Sequence, residues 1–155
     1  MSVAFRRESD EEHLEPKFEL PIPAGPNLVT RRGLRLIRDR VAELEAAIGQ
    51  AQGPAAVTGL QRDLRYWRTR QVTAVLAPTP ACEKVEFGTA VRFTLNGRSQ
   101  VLRIVGDDEA VPAAGLISFN APLSRAMLGA EAGELLPFGT AEDAIEILSV
   151  NVAEE

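Results

Sequence analysis

The sequence predicts an α+β fold class: an N-terminal antiparallel coiled-coil hairpin of two helices, followed by a small α+β domain with an antiparallel sheet. Three observations carry this reading. Apolar residues recur at alternating steps of three and four on both sides of the dipeptide Gly53-Pro54. Apolar and polar residues alternate on both sides of Asn96-Gly97. Two further short apolar runs, "GLISFNAP" and "AIEILSV", flank a stretch with helical spacing.

Residues 1–28 come first and read differently from the rest. The acidic run "RRESDEEHLE" is followed by "PKFELPIPAGP", which holds four prolines and no sustained period. Such a segment buries too little apolar surface to order itself, so an extended or disordered acidic, proline-rich tail is expected. His13 lies in it without a second histidine or a cysteine at ligand spacing, and reads as a solvated residue.

Residues 29–77 form the expected hairpin. Thr30 is placed to cap a helix whose apolar stripe is Leu34, Ile37, Val41, Leu44 and Ile48. A second stripe, Val57, Leu60, Leu64, Trp67, Gln71 and Ala74, ends before Pro78 and Pro80. Two seams joined by a short Gly/Pro turn zip together antiparallel. Arms of about 18–20 residues are roughly 27–30 Å long at the α-helical rise. Trp67 and Tyr66 are expected in or beside this seam rather than stacked on a base. The turn itself, "QAQGPAAVTGL", holds no carboxylate, histidine or cysteine.

A linker, 78–83, leads to the second domain, 84–152. "KVEFGTAVRFTL" and "SQVLRIVG" around "NGR" predict a β-hairpin over 84–105. "GLISFNAP" and "AIEILSV" supply two more strands. "LSRAMLGAEAG" reads as a short helix closed by Gly129, and "AGELLPF" leads back to the sheet.

Composition bounds the function. The chain has 155 residues, 45% of them hydrophobic, enough for one modest core and an appendage. The single cysteine, Cys82, excludes an internal disulfide, and it has no histidine partner to make it a nucleophile. No long apolar run or signal-type segment occurs, so a cytoplasmic chain with no membrane partner is expected. The net charge of −5 is unevenly spread: residues 31–70 carry nine arginines against four acids. Arg62, Arg65, Arg68 and Arg70 make a basic stalk face that suits electrostatic contact with nucleic acid or an acidic channel, or serves simply as a solvated face.

The residues then carry a resemblance. "VEFGTAV", "IVGDDEA", "GLISFNAPLSRAMLGAEAGE" and "AIEILSV", in this order and spacing, resemble the C-terminal domain of the GreA/GreB transcript-cleavage factors. "NLVTRRGLRLIRDRVAEL", with Thr30 and Gly33, resembles the opening helix of that family. The likeness covers roughly residues 27–150. It implies an FKBP-like C-terminal domain that docks on the rim of the RNA polymerase secondary channel, and a coiled coil that enters the channel. It also implies acidic residues at the coiled-coil tip that help hold a catalytic magnesium in the polymerase, consistent with the oxygen ligands such a cation needs.

Two departures bear on that implication. No Asp or Glu occurs from Ala46 through Arg62, and the nearest carboxylates, Glu45 and Asp63, are set back along the arms. The stalk is also shorter than is typical of the family, somewhat like Rnk, a Gre-like relative. The expectation is therefore a non-enzymatic regulator of elongation or pausing, with no catalytic residue, metal or cofactor of its own, that binds RNA polymerase core as a monomer. The alternatives are cleavage stimulation through Glu45 or Asp63, or nucleic-acid binding by the basic hairpin.

By the same resemblance the rim contacts map to Asn120, Ala121 and Pro122, with Ser118, Leu123 and Arg125 beside them. A second reading stands next to this one, that Pro122 merely starts a helix. "GDDEA", Gly106 to Ala110, is expected to be a solvated turn rather than a metal site, because neighbouring side chains in a turn point apart. An FKBP-like fold raises prolyl isomerisation, which needs an aromatic-lined pocket; Phe87, Phe93, Phe119 and Phe138 are expected as strand core instead, and isomerase activity is not expected.

Overall fold

A computed structural model describes residues 19–153. His13 and most of the acidic tail lie outside the described residues. Helix α1, Arg31–Gln50, begins where Thr30 Oγ1 accepts the Gly33 amide at 3.0 Å, a side-chain cap for an otherwise orphaned N–H. Helix α2, Pro54–Thr73, starts with proline in its first turn, and Gly53 takes φ 93° just before it, a value that favours glycine. The two arms pack through Val41, Leu44 and Leu64, with Ile48, Leu60 and Trp67 partly buried around them. Each arm has 20 residues.

Near the base of the hairpin the expected stripe changes. Gln71 is exposed and Arg70 is buried, because the inner face of the last α2 turn meets the second domain rather than α1. The open end is tied by a two-stranded parallel sheet, β1 (Leu28–Val29) with β2 (Val75–Leu76). Residues 27–29 thus belong to the fold, not to a free tail. Asn27 is buried and donates from Nδ2 to the Arg70 carbonyl at 2.8 Å and to Thr73 Oγ1 at 3.1 Å, so it occupies a carbonyl of the final α2 turn.

The second domain is a five-stranded sheet of β3 (Thr89–Leu95), β4 (Arg98–Val105), β5 (Leu116–Ser118), β6 (Leu135–Phe138) and β7 (Ala141–Val152), in the order β5-β4-β3-β7-β6. Strands β3 and β4 form the hairpin expected at Asn96-Gly97, both residues with positive φ, as a two-residue turn matching strand twist requires. The first strand starts later than its alternation suggested: residues 84–88 form no strand, and Val85 is held through Ala130 and Gly129 backbone bonds. Strand β5 precedes helix α3 (Pro122–Met127), and β6 pairs with the long β7.

The sheet is antiparallel except for one pairing. β5 runs parallel to β4, because the chain between them crosses back through the acid turn at 106–109 and a 3-10 turn at Pro112–Ala114 instead of reversing in a tight hairpin. The core is Val85, Val91, Phe93, Ile104, Met127, Ala130, Ala144, Ile145 and Ile147. Phe87, Phe119 and Phe138 pack against it, with the Phe87 and Phe119 rings edge-on at 5.5 Å, so all four phenylalanines serve packing, but Phe87 and Phe119 do so from turns rather than strands. Among the described residues no helix is long and apolar enough to cross a membrane.

Candidate functional site

Three successive acids, Asp107, Asp108 and Glu109, organise the place where hairpin and sheet meet. The alternation of β4 ends at Val105, and Gly106 lets the chain pass close under β1: a Cβ there would overlap the Leu28 carbonyl oxygen. Each acid then serves a different element. Asp107 Oδ1 accepts from Ser118 Oγ at 2.5 Å, and both its oxygens accept from Asn120 Nδ2 at 3.2 Å. Asp108 accepts from Arg70 Nε at 2.6 Å and from the Tyr66 hydroxyl at 2.5 Å. Glu109 accepts from Thr30 Oγ1 at 2.5 Å and Arg32 Nη1 at 3.0 Å.

The acid turn is therefore not solvated, contrary to expectation. Adjacent side chains do point apart, but each points into a different packed element that supplies its donors, and Glu109 is only 4% exposed. This arrangement also explains Gly33. A Cβ at that position would lie 2.8 Å from Glu109 Oε1, so a side chain there would push the Glu109 carboxylate out of its present place.

Arg70 needs the matching correction. It is 1% exposed, with Nη2 bonded to Asn27 Oδ1 at 2.7 Å and 3.8 Å from Asp107 Oδ2, so it is an internal strut and not part of a basic stalk face. The other three stalk arginines each have an acidic partner: Arg62 pairs with Asp63 at 3.2 Å, Arg65 with Glu19 at 2.7 Å and Arg68 with Glu45 at 3.4 Å. Arg65 lowers the Glu19 carboxyl below the usual range, chiefly by hydrogen bonding. Leu20 and Ile22 follow Glu19 along α2 beside Tyr66 and Thr69.

Tyr66 is the sequence's one tyrosine, and burial, reinforced by its bond to Asp108, raises its pKa well above the ordinary value. The folded state thus favours the neutral phenol. That contribution is complete below the unfolded pKa of about 10 and is lost as pH rises beyond it. We expect urea-unfolding stability of the wild type to fall more steeply above about pH 10 than that of Tyr66→Phe. Tyrosinate absorbance should appear only at higher pH in folded than in urea-unfolded protein; an ordinary titration in the folded chain would contradict the buried phenol.

The loop expected to contact a partner is preformed. The Asn120 amide donates to Ser118 Oγ at 3.1 Å, and Ser124 Oγ, buried in α3, donates to the Ser118 carbonyl at 2.7 Å. Pro122 stands in the first turn of α3, as the helix-start reading required, and with Arg125 it is exposed. Ser118, Asn120, Ala121 and Leu123 are half-buried, and Leu123 packs against the core. Ser124 and Asn27 escaped the sequence reading, and Asp107 was read only as part of a solvated turn, since nothing in local spacing marks which side chain will meet a distant element.

The stalk tip is uncharged from Ala46 to Gln61. Glu45 and Asp63 stand about 12–15 Å back from Gly53 along the arms at the α-helical rise, each already in an ion pair. A cleft of about 190 Å³ lies beside the start of α1, between Arg31, Arg32, Arg103, Phe87 and Pro80. Its one acid is Glu109, already engaged, and among the described residues no group of three metal-ligating side chains occurs.

Comparison with known families bears directly on this arrangement. Residues 79–152, the whole sheet domain with its acid turn and preformed loop, match the model of the transcription elongation factor GreA/GreB C-terminal domain. Residues 79–152 form a GreA/GreB C-terminal domain. The chain is 29% identical over 136 residues to a GreA of Thermomicrobium roseum, covering 72% of this chain and 87% of that one. It is 33% identical over 102 residues to a GreA of Treponema pallidum, covering 63% of this chain and 60% of that one. Among solved structures, the GreA factor homolog Gfh1 of Thermus thermophilus aligns over 82% of this chain and 99% of its own at 14% identity and a TM-score of 0.38. The family match covers the sheet domain and not the uncharged tip.

Proposed function

We propose that this chain is a Gre-family factor that binds RNA polymerase core at the secondary channel through the loop around Asn120, Ala121 and Pro122, and modulates elongation or pausing without stimulating transcript cleavage. The observation that carries the second half of this reading is the hairpin end. Stimulated cleavage needs a carboxylate presented to a metal at the polymerase centre, and an oxygen-seeking cation finds none between Ala46 and Gln61. Glu45 and Asp63 would have to leave Arg68 and Arg62 and also bridge the remaining length of the stalk. The pairing of Arg62, Arg65 and Arg68 with acids likewise weakens their pull on free nucleic acid, which leaves a channel-occupying role as the better-supported one.

The docking half is supported by the exposed Pro122 and Arg125 of α3 beside a loop whose backbone is already organised, so little ordering entropy opposes binding. The test is a paired assay on purified core RNA polymerase: binding, and RNA cleavage in a stalled, backtracked complex. Expected are binding that the double variant Asn120→Ala/Pro122→Ala weakens at least about tenfold, equivalent to ~1.4 kcal/mol, and a cleavage rate no faster than that of polymerase alone. Stimulated cleavage lost on Glu45→Gln or Asp63→Asn would refute the inert tip; binding indifferent to the double variant would refute the docking loop.

A further inference from the structure

We propose that Asp107 is a positioning residue that couples the docking loop to the angle of the stalk. The inference deepens the docking reading above and rests on it for its consequence at the polymerase, although the coupling itself belongs to the free protein. Asp107 is the side chain that touches both parts. On one side it receives Ser118 Oγ and Asn120 Nδ2; on the other its Oδ2 stands 3.8 Å from Arg70 Nη2 in the last turn of α2. Arg70 in turn is held by Asp108 and Asn27, and Asp108 holds Tyr66 one turn further along α2. The docking loop thus reaches the stalk helix through two side chains.

Competition makes this a coupling rather than mere contact. The carboxylate accepts from neutral donors on the loop while facing a guanidinium of the stalk at 3.8 Å, an electrostatic rather than hydrogen-bonded neighbour. Drawing Asn120 toward a partner withdraws donors from Asp107, which leaves the carboxylate to move closer to Arg70. A change in stalk angle that displaces Arg70 conversely alters how firmly Asn120 is held, and the two effects are equal in free energy by linkage. Leverage enlarges the result. Arg70 lies about 24 Å from the start of α2, so a tilt of about 10° at the base moves the tip by about 4 Å.

The test reads the distance between two spin labels in the full chain without polymerase, at Gln52→Cys in the tip and Glu142→Cys in the sheet domain, with the sole native cysteine removed as Cys82→Ser. Both labelled positions are exposed. Asn120→Ala and the near-isosteric Asp107→Asn are expected to shift or broaden the distance distribution by about 3–5 Å. Arg98→Ala, exposed at the end of β4 opposite the acid turn, is expected to leave it unchanged. If neither Asn120→Ala nor Asp107→Asn alters the distribution while both proteins remain folded, the coupling is overturned. Core polymerase binding by the same variants separates the two readings: weakened binding with unaltered distances leaves docking and removes coupling, whereas altered distances with undiminished binding leaves coupling and removes docking.

Discussion

Arg70→Met is expected to destabilise the protein by about 3–5 kcal/mol, a large share of the stability of a domain of this size. The substitution keeps much of the side-chain volume but removes every donor. Asp108 then retains only the Tyr66 hydroxyl, Asn27 Oδ1 loses its partner, and Asp107 loses its cationic neighbour. The cost comes less from the lost attraction than from a carboxylate left uncompensated out of water. Adding Asp108→Leu to Arg70→Met should therefore recover part of the loss, since the second change removes the stranded charge. Urea unfolding followed by the fluorescence of Trp67, the sequence's one tryptophan, measures both. A single-variant loss below about 1 kcal/mol would mean that Arg70 behaves as a surface arginine and that the junction is wet.

Gly106→Ala is the second substitution expected to act strongly, and for a different reason. No charge is involved. The added methyl would fall on the Leu28 carbonyl oxygen, and neither side yields easily: Leu28 is paired to Val75 in the parallel strand pair, and Gly106 follows directly on the β4 ladder. Overpacking usually costs about 1–3 kcal/mol, and a backbone obstacle fixed on both sides places this one at the upper end. Relief requires β1, and with it the start of α1, to move off the acid turn. The loss should accordingly be accompanied by weaker protection of the Gly33 and Leu34 amides from hydrogen exchange. A stability change within about 0.5 kcal/mol, with those amides unaltered, would show that the base of the hairpin is not held against Gly106.

Both variants probe the same junction, which was the least legible part of the sequence. The apolar stripes of the arms were readable because 3.6-residue periodicity is local: Ile37, Val41, Leu44 and Leu64 are buried where spacing placed them. Asn96-Gly97 was readable because a two-residue turn demands positive φ from those residue types whatever surrounds them. The missing carboxylates of the tip were readable as plain composition, and the order of short motifs was enough to recognise the GreA/GreB domain. Strand ends were less so, since the alternation of 84–88 looks like a strand but serves loop packing on Ala130 and Gly129.

Only the tertiary structure decided the roles of the charged residues. In one dimension Arg70 is indistinguishable from Arg62, Arg65 and Arg68, and "GDDEA" from any solvated turn. Whether an ionisable side chain is a surface group or an internal strut depends on which distant donor it meets: Asp107 meets residues 11 and 13 positions away, Asp108 meets residues 38 and 42 away, and Glu109 meets residues 77 and 79 away. Local periodicity carries no information over such separations, because the partner is set by how helices and sheet pack and not by the neighbours along the chain. The sequence by itself therefore determined the hairpin, the sheet turn, the GreA/GreB-like C-terminal domain and the uncharged tip; packing decided that three consecutive acids join the loop around Ser118 and Asn120 to both helices.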